Sequence, residues 1–147
     1  AHEWRRGEFS ISTDADKLDM AVVHGFLTES YWARGIPREV VERSIAGSLP
    51  FGLYHGARQI GFARVISDEA TFAYIGDVFV LEEYRGQGLG TWLMETVVAC
   101  PDLHGLRRWT LATRDAHALY RKVGFTPLHS PERWMERWFP DVYQTNS

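Results

Sequence analysis

The residues with the clearest chemical potential form a glycine-spaced turn at positions 85–91, with the sequence RGQGLGT. Glycine at every second position lets the backbone approach a ligand without an intervening Cβ. A helix pattern follows, and the first turn of a helix carries free N–H groups and a partial positive charge that favour phosphate. Arg85 adds a charged donor for the same anion. The turn therefore predicts an anion site suited to a phosphorylated ligand.

The glycine spacing narrows the kind of phosphate ligand. A P-loop needs Lys and then Ser or Thr after its last glycine, whereas Gly90 is followed by Thr91 and Trp92. The Rossmann fingerprint needs an early βαβ unit and a wider final step than the even spacing found here. A tight strand-to-helix turn with a glycine cap explains the same residues without any ligand. The glycines alone leave both interpretations open.

A second segment, residues 116–125 with the sequence AHALYRKVGF, supplies a family resemblance. It is similar to the A-x-x-L-Y-x-K-x-G-F signature of the GNAT superfamily of N-acetyltransferases. The turn at 85–90 resembles that family's R/Q-x-x-G-x-G/A motif, and the two motifs occur in the family's order. The resemblance implies an α+β (mixed α/β) GNAT-like fold with a central, mostly antiparallel sheet flanked by helices. It also implies acetyl-CoA as co-substrate and a primary amine as acceptor.

The resemblance assigns roles to individual residues. Tyr120 falls on the tyrosine that acts as general acid toward the departing CoA thiolate, and a phenol with a reference pKa of about 10 suits that step. Thr113 stands where many members carry Asn, and its hydroxyl could contact pantetheine. The other cofactor contacts are expected from the strand, through the backbone of Val78, Phe79 and Val80, and from the turn, through Arg85, Gly86, Gln87, Gly88, Leu89, Gly90 and Thr91.

Transfer also needs a base for the acceptor amine, and Asp77 is the first candidate. A carboxylate within the apolar run YIGDVFV is costly unless it has a partner or a purpose. Pairing with a nearby Arg or backbone N–H would explain Asp77 equally well, and core packing would explain Tyr120. The catalytic prediction is Tyr120 and Asp77, with direct attack of a neutral amine on the thioester in a ternary complex. No acyl-enzyme is expected, because Cys100 lies outside both motifs.

Acceptor recognition is implied, by the same resemblance, for the loop between the first two helices and for the final strands. These segments supply Tyr31, Trp32, Arg34, Trp134 and Trp138. We expect Tyr31 and Trp32 to bind the acceptor, since an aromatic wall near a carboxylate attracts a cationic amine. Core packing would explain at least half of the chain's six Trp equally well. His24 and His117 lack partners at helical spacing, so no metal is expected.

Hydrophobic periodicity predicts the element order β-α-α-β-β-β-α-β-α-β-β. A strand is predicted at Phe9–Thr13, followed by a helix capped by Asp14 or Asp16 and a second helix starting at Pro37. The later elements are hairpin strands at 51–54 and 59–66, a strand at 71–80 apolar on both faces and so covered on both sides, a helix at 88–99, a strand at 107–113, a short helix at 116–123, and final strands at 126–128 and 132–138.

Composition limits the class of protein. The 147 residues are 45% hydrophobic and 24% charged, which matches a soluble globular domain and excludes intrinsic disorder. Residues 1–8 are expected to be an N-terminal tail and residues 9–147 a single acetyltransferase domain. Apolar stretches fall short of the roughly 18–20 residues of a membrane span. A net charge of −3 provides no basic field for nucleic acid.

The expected surroundings and partners follow from the same features. A single cysteine excludes an internal disulfide and fits the reducing cytoplasm. The partners predicted are a small-molecule or peptide amine and, through exposed edge strands, a second copy in a homodimer. Two other functions fit the same residues: a non-catalytic acyl-CoA-binding or sensing module, and an interaction domain whose aromatic groove binds a peptide. Thioester cleavage with amines, and binding of CoA, separate the three.

Overall fold

The computed structural model describes residues 1–144, in which helices cover both faces of one six-stranded sheet. The strands are β1 (Glu3–Arg6), β2 (Phe9–Ser12), β3 (Leu49–His55), β4 (Arg58–Ser67), β5 (Phe72–Val80) and β6 (Arg108–Thr110). The helices are α1 (Met20–Leu27), α2 (Arg38–Ala46), α3 (Leu89–Val98) and α4 (His117–Arg121). Across residues 1–144, no helix has the length and apolar character needed to cross a bilayer.

The sheet is mostly antiparallel, as predicted. Its strands lie in chain order from β1 to β6, and each of the first four pairings is antiparallel. Only β5 and β6 run parallel, because α3 carries the chain back between them. The core has two parts: α3 and α4 pack with β2–β5 on one face, and α1 and α2 pack against Phe62 and Phe79 on the other.

The N-terminal tail prediction is wrong for most of residues 1–8. Glu3–Arg6 form the edge strand β1, whose Trp4 pairs with Ile11 of β2 and stacks on Phe51 at a centroid distance of 6.2 Å. Its other side chains are charged, which suits an exposed sheet edge but hides the strand from an apolar-periodicity criterion. The predicted boundary at residue 147 lies outside the described residues.

The first predicted helix is divided in two by its aspartates. The Asp14 carboxylate accepts from the N–H of Asp16 and caps a short 3₁₀ turn at Ala15–Lys17. The Asp19 carboxylate then accepts from the N–H groups of Ala21 and Val22, so α1 begins only at Met20. The prediction for the second helix is confirmed, since Pro37 directly precedes α2.

The two final strands, Thr126–Leu128 and Glu132–Trp138, are wrong. Within the described chain neither segment joins the sheet, and Pro131–Arg133 form a 3₁₀ turn instead. Pro127 and Pro131 each lack the N–H that a ladder requires. The strand predicted at 107–113 is likewise shortened to Arg108–Thr110.

The expectation that β5 is covered on both sides holds for only part of its length. Ala73 and Ile75 are buried beneath α3, but Phe72 and Tyr74 on the opposite face are 36% and 37% exposed. The helices on that face pack over Phe62 and Phe79 at the far end of the strand. The first half of β5 therefore has an uncovered apolar face.

A glycine in β4 tests how closely the sheet is packed. A Cβ on Gly61 would lie 2.8 Å from Leu53 Cδ2 and 2.9 Å from the Phe79 carbonyl oxygen, so Gly61→Ala should lower the free energy of unfolding by about 1–3 kcal/mol. Gly25→Ala is the control, because its Cβ would have no neighbour within 4 Å and alanine favours a helix, giving a change between zero and about 1 kcal/mol of stabilisation. Urea unfolding measures both. Equal effects would contradict this packing.

Candidate active site

The site begins where β5 and β6 separate. The parallel pairing covers only Phe72 to Tyr74 opposite Arg108 to Thr110, whereas β5 continues to Val80. Within residues 1–144, the β6 side of β5 therefore has no strand partner beyond Tyr74. Such an edge presents backbone N–H and C=O groups that an extended ligand can pair with in the way a strand would.

An extra residue in β5 sits at the middle of this open edge. The register with β4 runs from Phe79 opposite Phe62 to Gly76 opposite Arg64, so Asp77 and Val78 together face the single residue Ala63. Asp77 has a φ of 56°, the left-handed conformation that non-glycine residues rarely adopt. An inserted residue of this kind bends a strand and redirects its side chains.

Backbone alternation decides which of the three predicted pantetheine residues face the open edge. The N–H of Leu81 donates to the Ile60 carbonyl of β4, while the Val80 carbonyl accepts from Arg85 Nε at 2.9 Å. Val78 and Val80 therefore direct their backbone groups away from β4. Phe79 differs from them, because the alternation turns its backbone N–H and C=O toward Phe62 of β4. Its ring stacks on Phe26 at 4.0 Å.

The glycine turn continues from the end of this edge. Gly86 and Gly88 have φ values of 82° and 81°, and no atom lies within 4 Å of a Cβ built on either. Gly88 is the N-cap of α3, and no side chain caps that end. The N–H groups at the start of the helix are thus available to an anion, and the role of the turn as a phosphate site stays a prediction. Gln87 lies exposed in the same turn, its amide 3.4 Å from the Tyr84 carbonyl.

Three elements meet at Gly90. A Cβ there would lie 3.9 Å from Leu119 of α4 and 4.0 Å from Val80 of β5, which are ordinary contact distances. The next residue along α4 is Tyr120, which is 8% exposed and packs edge-on to Phe125. The start of α3, the end of β5 and α4, the helix that carries the predicted acid, are therefore brought together.

Burial, together with the smaller effect of the neighbouring phenols of Tyr31 and Tyr74, raises the pKa of Tyr120 to about 12. A buried phenolate would lose its hydration, so the neutral phenol is favoured. Tyr120 therefore keeps its proton throughout the neutral and mildly alkaline range. It can donate a hydrogen bond or a proton to a nearby anion.

Asp77 has two partners, as its structural interpretation predicts. Its Oδ2 accepts from Arg64 Nε at 2.8 Å, and its Oδ1 accepts from Trp32 Nε1 at 2.8 Å. The side chains of Arg64 and Asp77 are only 16% and 11% exposed, and Arg64 also donates to Ser48 Oγ. Each carboxylate oxygen can accept a second hydrogen bond, so these contacts leave room for a ligand donor. The catalytic role of Asp77 stays a prediction.

The loop between α1 and α2 lies across the site. Its Trp32 reaches Asp77, and its Tyr31 packs edge-on against Trp32 at 5.1 Å. The Tyr31 hydroxyl accepts from the backbone N–H of Arg114, whose guanidinium lies 3.9 Å from the centre of the tyrosine ring. Tyr31 and Trp32 thus connect β5 to the segment just after β6 and form a wall beside Tyr120.

The remaining predicted site residues include Thr113, Leu89, Thr91 and Trp134. Thr113 Oγ1 accepts from the N–H of Ala116 just before α4, which leaves its O–H to donate elsewhere. Leu89 is buried beneath the turn, whereas Thr91 is half-buried beside it. Trp134 packs on Arg108 of β6 at 5.0 Å.

Three residues of the site were missed by sequence reasoning. Arg64 could have been found by the argument used for Asp77, since it interrupts the apolar run IGFARVI. Tyr74 and Phe26 were read only as apolar members of their elements. Tyr74 packs over Gly76, next to Asp77, and Phe26 stacks on Phe79. These contacts depend on the bulge and on helix packing, which no local pattern specifies.

The histidines and the cysteine contribute little to this site. His24 contacts the Ile36 carbonyl and His55 contacts Tyr84 and Glu8, so both have structural partners. His2, Cys100 and Asp102 lie together at the far end of α3. Cys100 is 1% exposed and its pKa is raised by burial, which disfavours the thiolate. The absence of a metal stays a prediction.

Comparison with known proteins identifies the class. Residues 47–127 match the model of the GNAT acetyltransferase domain. An acetyltransferase candidate of Gibberella zeae is 29% identical over 140 residues, covering 81% of this chain and 79% of its own. A GNAT-family structure from Xanthomonas campestris is 50% identical with a TM-score of 0.90, covering 99% of both chains. The protein is thus an acetyltransferase by class, and the chain belongs to the GNAT family.

A more distant structure shows the fold with a ligand. A GNAT acetyltransferase of Elizabethkingia anophelis was crystallised with acetyl-CoA, and it is 14% identical to this chain with a TM-score of 0.65. The alignment covers 91% of this chain and 90% of that one. At this identity the likeness establishes the shared fold alone.

The protonation of Tyr120 gives a direct test of its environment. At a pH of about 11, above the ordinary tyrosine pKa, the folded protein and Tyr120→Phe should show the same phenolate absorbance because Tyr120 is still neutral. In denaturant at the same pH the variant should have one phenolate fewer, which is the internal control. Tryptophan emission must show that both proteins are folded in the first measurement. A missing phenolate in the folded variant would contradict the buried position of Tyr120.

Proposed function

We propose that the protein transfers an acetyl group from acetyl-CoA to a primary amine by direct attack in a ternary complex. One observation carries the proposal: the open edge of β5 leads into an uncapped helix N-terminus, and α4, which carries the neutral phenol of Tyr120, meets their junction through Leu119. Family membership supports acetyl transfer as the chemistry, and the acetyl-CoA held by the Elizabethkingia protein supports the donor.

The open edge and the turn suit the two halves of the donor. Pantetheine is an extended chain with two amides, so it can pair with the backbone of Val78 and Val80 as a strand would. The pyrophosphate would accept from the N–H groups at the start of α3 and from the free end of the Arg85 guanidinium. Arg85 is held over the end of β5 by its Nε contact to the Val80 carbonyl.

The chemical step then uses both predicted catalytic residues. The neutral amine attacks the thioester carbonyl and forms the C–N bond, and a backbone N–H near Val80 stabilises the charge on oxygen. The C–S bond breaks as the sulfur takes the proton of Tyr120. The Asp77 carboxylate receives the proton that the acceptor nitrogen loses, and exchange of this proton through solvent restores the Tyr120 phenol and the Asp77 carboxylate. No acyl-enzyme is needed, because the thiol of Cys100 is buried away from this edge.

The acceptor would enter from the side of β5 where Trp32 and Asp77 lie, opposite the proposed donor. Trp32 and Tyr31 form an aromatic wall directly beside the Asp77 carboxylate. A protonated amine is attracted both by the faces of such rings and by the carboxylate. This arrangement brings the amine toward Asp77 before transfer.

Binding of the donor is tested with a matched pair of glycine variants. Gly88 and Gly105 both have φ near +80° and open space at Cβ, but only Gly88 lies at the start of α3. Acetyl-CoA at a hundredfold excess over Kd should stabilise the parent and Gly105→Trp by about 2.7 kcal/mol. Gly88→Trp should fold and lose most of that shift. Equal shifts in the two variants would contradict the proposed donor site.

Turnover is tested in the same samples by amine-dependent release of CoA thiol. Tyr120→Phe should bind acetyl-CoA like the parent and lose about 10²–10⁴ in kcat, the range for a lost general acid. Asp77→Asn should lower kcat and change its pH profile, with folding verified by circular dichroism because the Arg64 pair is broken. Cys100→Ala should retain turnover. Binding without thiol release for any amine would instead identify a non-catalytic acyl-CoA-binding module.

A further inference from the structure

An apolar strip lies uncovered on the sheet next to the proposed acceptor site. Ile66 of β4 pairs with Tyr74 of β5, and Phe72 lies two residues before Tyr74 on the same face. Their exposures are 43%, 37% and 36% respectively. This set, Ile66, Phe72 and Tyr74, is called the apolar floor below. The apolar floor lies on the same face of the sheet as α1 and α2, which pack over Phe62 and Phe79 farther along that face.

The apolar floor continues directly into the site. The ring of Tyr74 lies along β5 over Gly76, with Cε2 3.3 Å from the position a Cβ would take there. Gly76 is paired with Arg64 and precedes Asp77. Partial burial raises the pKa of Tyr74, and the charge of Asp77 adds to that effect. Tyr74 also contributes to the raised pKa of Tyr120.

The charges around the floor disfavour a polycationic acceptor. Asp77 supplies one carboxylate, and Arg64 already pairs with it at 2.8 Å. The opposite rim presents the guanidinium of Arg114 over Tyr31, and its contact to Asp115 is 3.7 Å between two largely exposed side chains. A ligand with several ammonium groups needs a concentration of carboxylates, which these residues do not provide. A single amine on an apolar body matches one carboxylate beside a row of apolar side chains.

We propose that the acceptor is a primary monoamine joined to an aromatic or comparably large apolar group, and that Tyr74 determines this specificity. The amine lies at Asp77 between Trp32 and Tyr120, and the apolar group lies on the floor against Tyr74. Burying an aromatic ring on such a surface favours binding by its apolar area and by ring contacts. This inference rests on the proposed acetyl transfer.

The experiment compares amines at saturating acetyl-CoA. Phenethylamine should have a kcat/KM at least about tenfold above those of ethylamine and spermidine, as one apolar group in a matching pocket provides. Tyr74→Ala should raise the KM for phenethylamine about tenfold and reduce its advantage over ethylamine, while the KM for acetyl-CoA stays unchanged. Tyr74→Phe should keep the preference, because the ring is retained. Met135→Ala, at a residue that is 96% exposed, is the control and should change nothing.

A binding measurement separates this inference from the proposed function. Calorimetric titration of phenethylamine into the protein saturated with CoA needs no turnover, and its affinity should fall about tenfold in Tyr74→Ala. Tyr74-dependent binding without turnover of any amine would refute acetyl transfer but support the floor. Three results would overturn the inference: no binding of phenethylamine, a preference for spermidine, or an unchanged affinity in Tyr74→Ala. A shift of Tyr74→Ala from dimer to monomer by light scattering with unchanged affinity would assign the floor to an interface between copies.

Discussion

The bulge at Asp77 is the constraint on which the site depends. A non-glycine residue at a φ of 56° costs about 1–3 kcal/mol, and it persists only where its surroundings hold it. Arg64 and Trp32 supply that support, because each donates to one oxygen of the Asp77 carboxylate at 2.8 Å. The bulge turns Asp77 toward the aromatic wall and gives β5 an additional bend. The same ion pair therefore positions a charged group and fixes the course of the strand that leads to the glycine turn.

The rest of the site follows from how β5 is partnered along its length. Near its start β5 pairs with β6 on one side, while one face remains uncovered and apolar. Past Tyr74 the edge of β5 is open. At its end, Val80 approaches Gly90 at the start of α3, and Gly90 also approaches Leu119, the α4 residue before Tyr120. In the proposed mechanism, binding of an extended chain, fixation of an anion and protonation of a leaving group are arranged in order along one strand. The proposed acceptor side and donor side lie on either side of the bulge.

The parts predicted correctly from the sequence depend on local rules. The glycine turn has positive φ values at Gly86 and Gly88, and such positions are set by residue type. Both apolar hairpin strands and the start of α2 at Pro37 also follow from local pattern. The failures depend on tertiary context: β1 pairs with β2 although three of its four side chains are charged, and no residue from Thr126 to Gln144 joins the sheet. Likewise the sequence predicts burial on both faces of β5, because Phe72 and Tyr74 are as apolar as core residues, whereas the structure leaves both side chains exposed.

The central claim is that an extended donor pairs with the open edge of β5 and ends at the start of α3. Amide hydrogen exchange with and without CoA tests it most directly, because exchange slows where an N–H gains a hydrogen-bond partner. The account predicts slower exchange at Val78 and at the first helical N–H groups of α3, with little change at β1 and β2. Protection confined to the segment after α4, with the β5 edge unchanged, would contradict it.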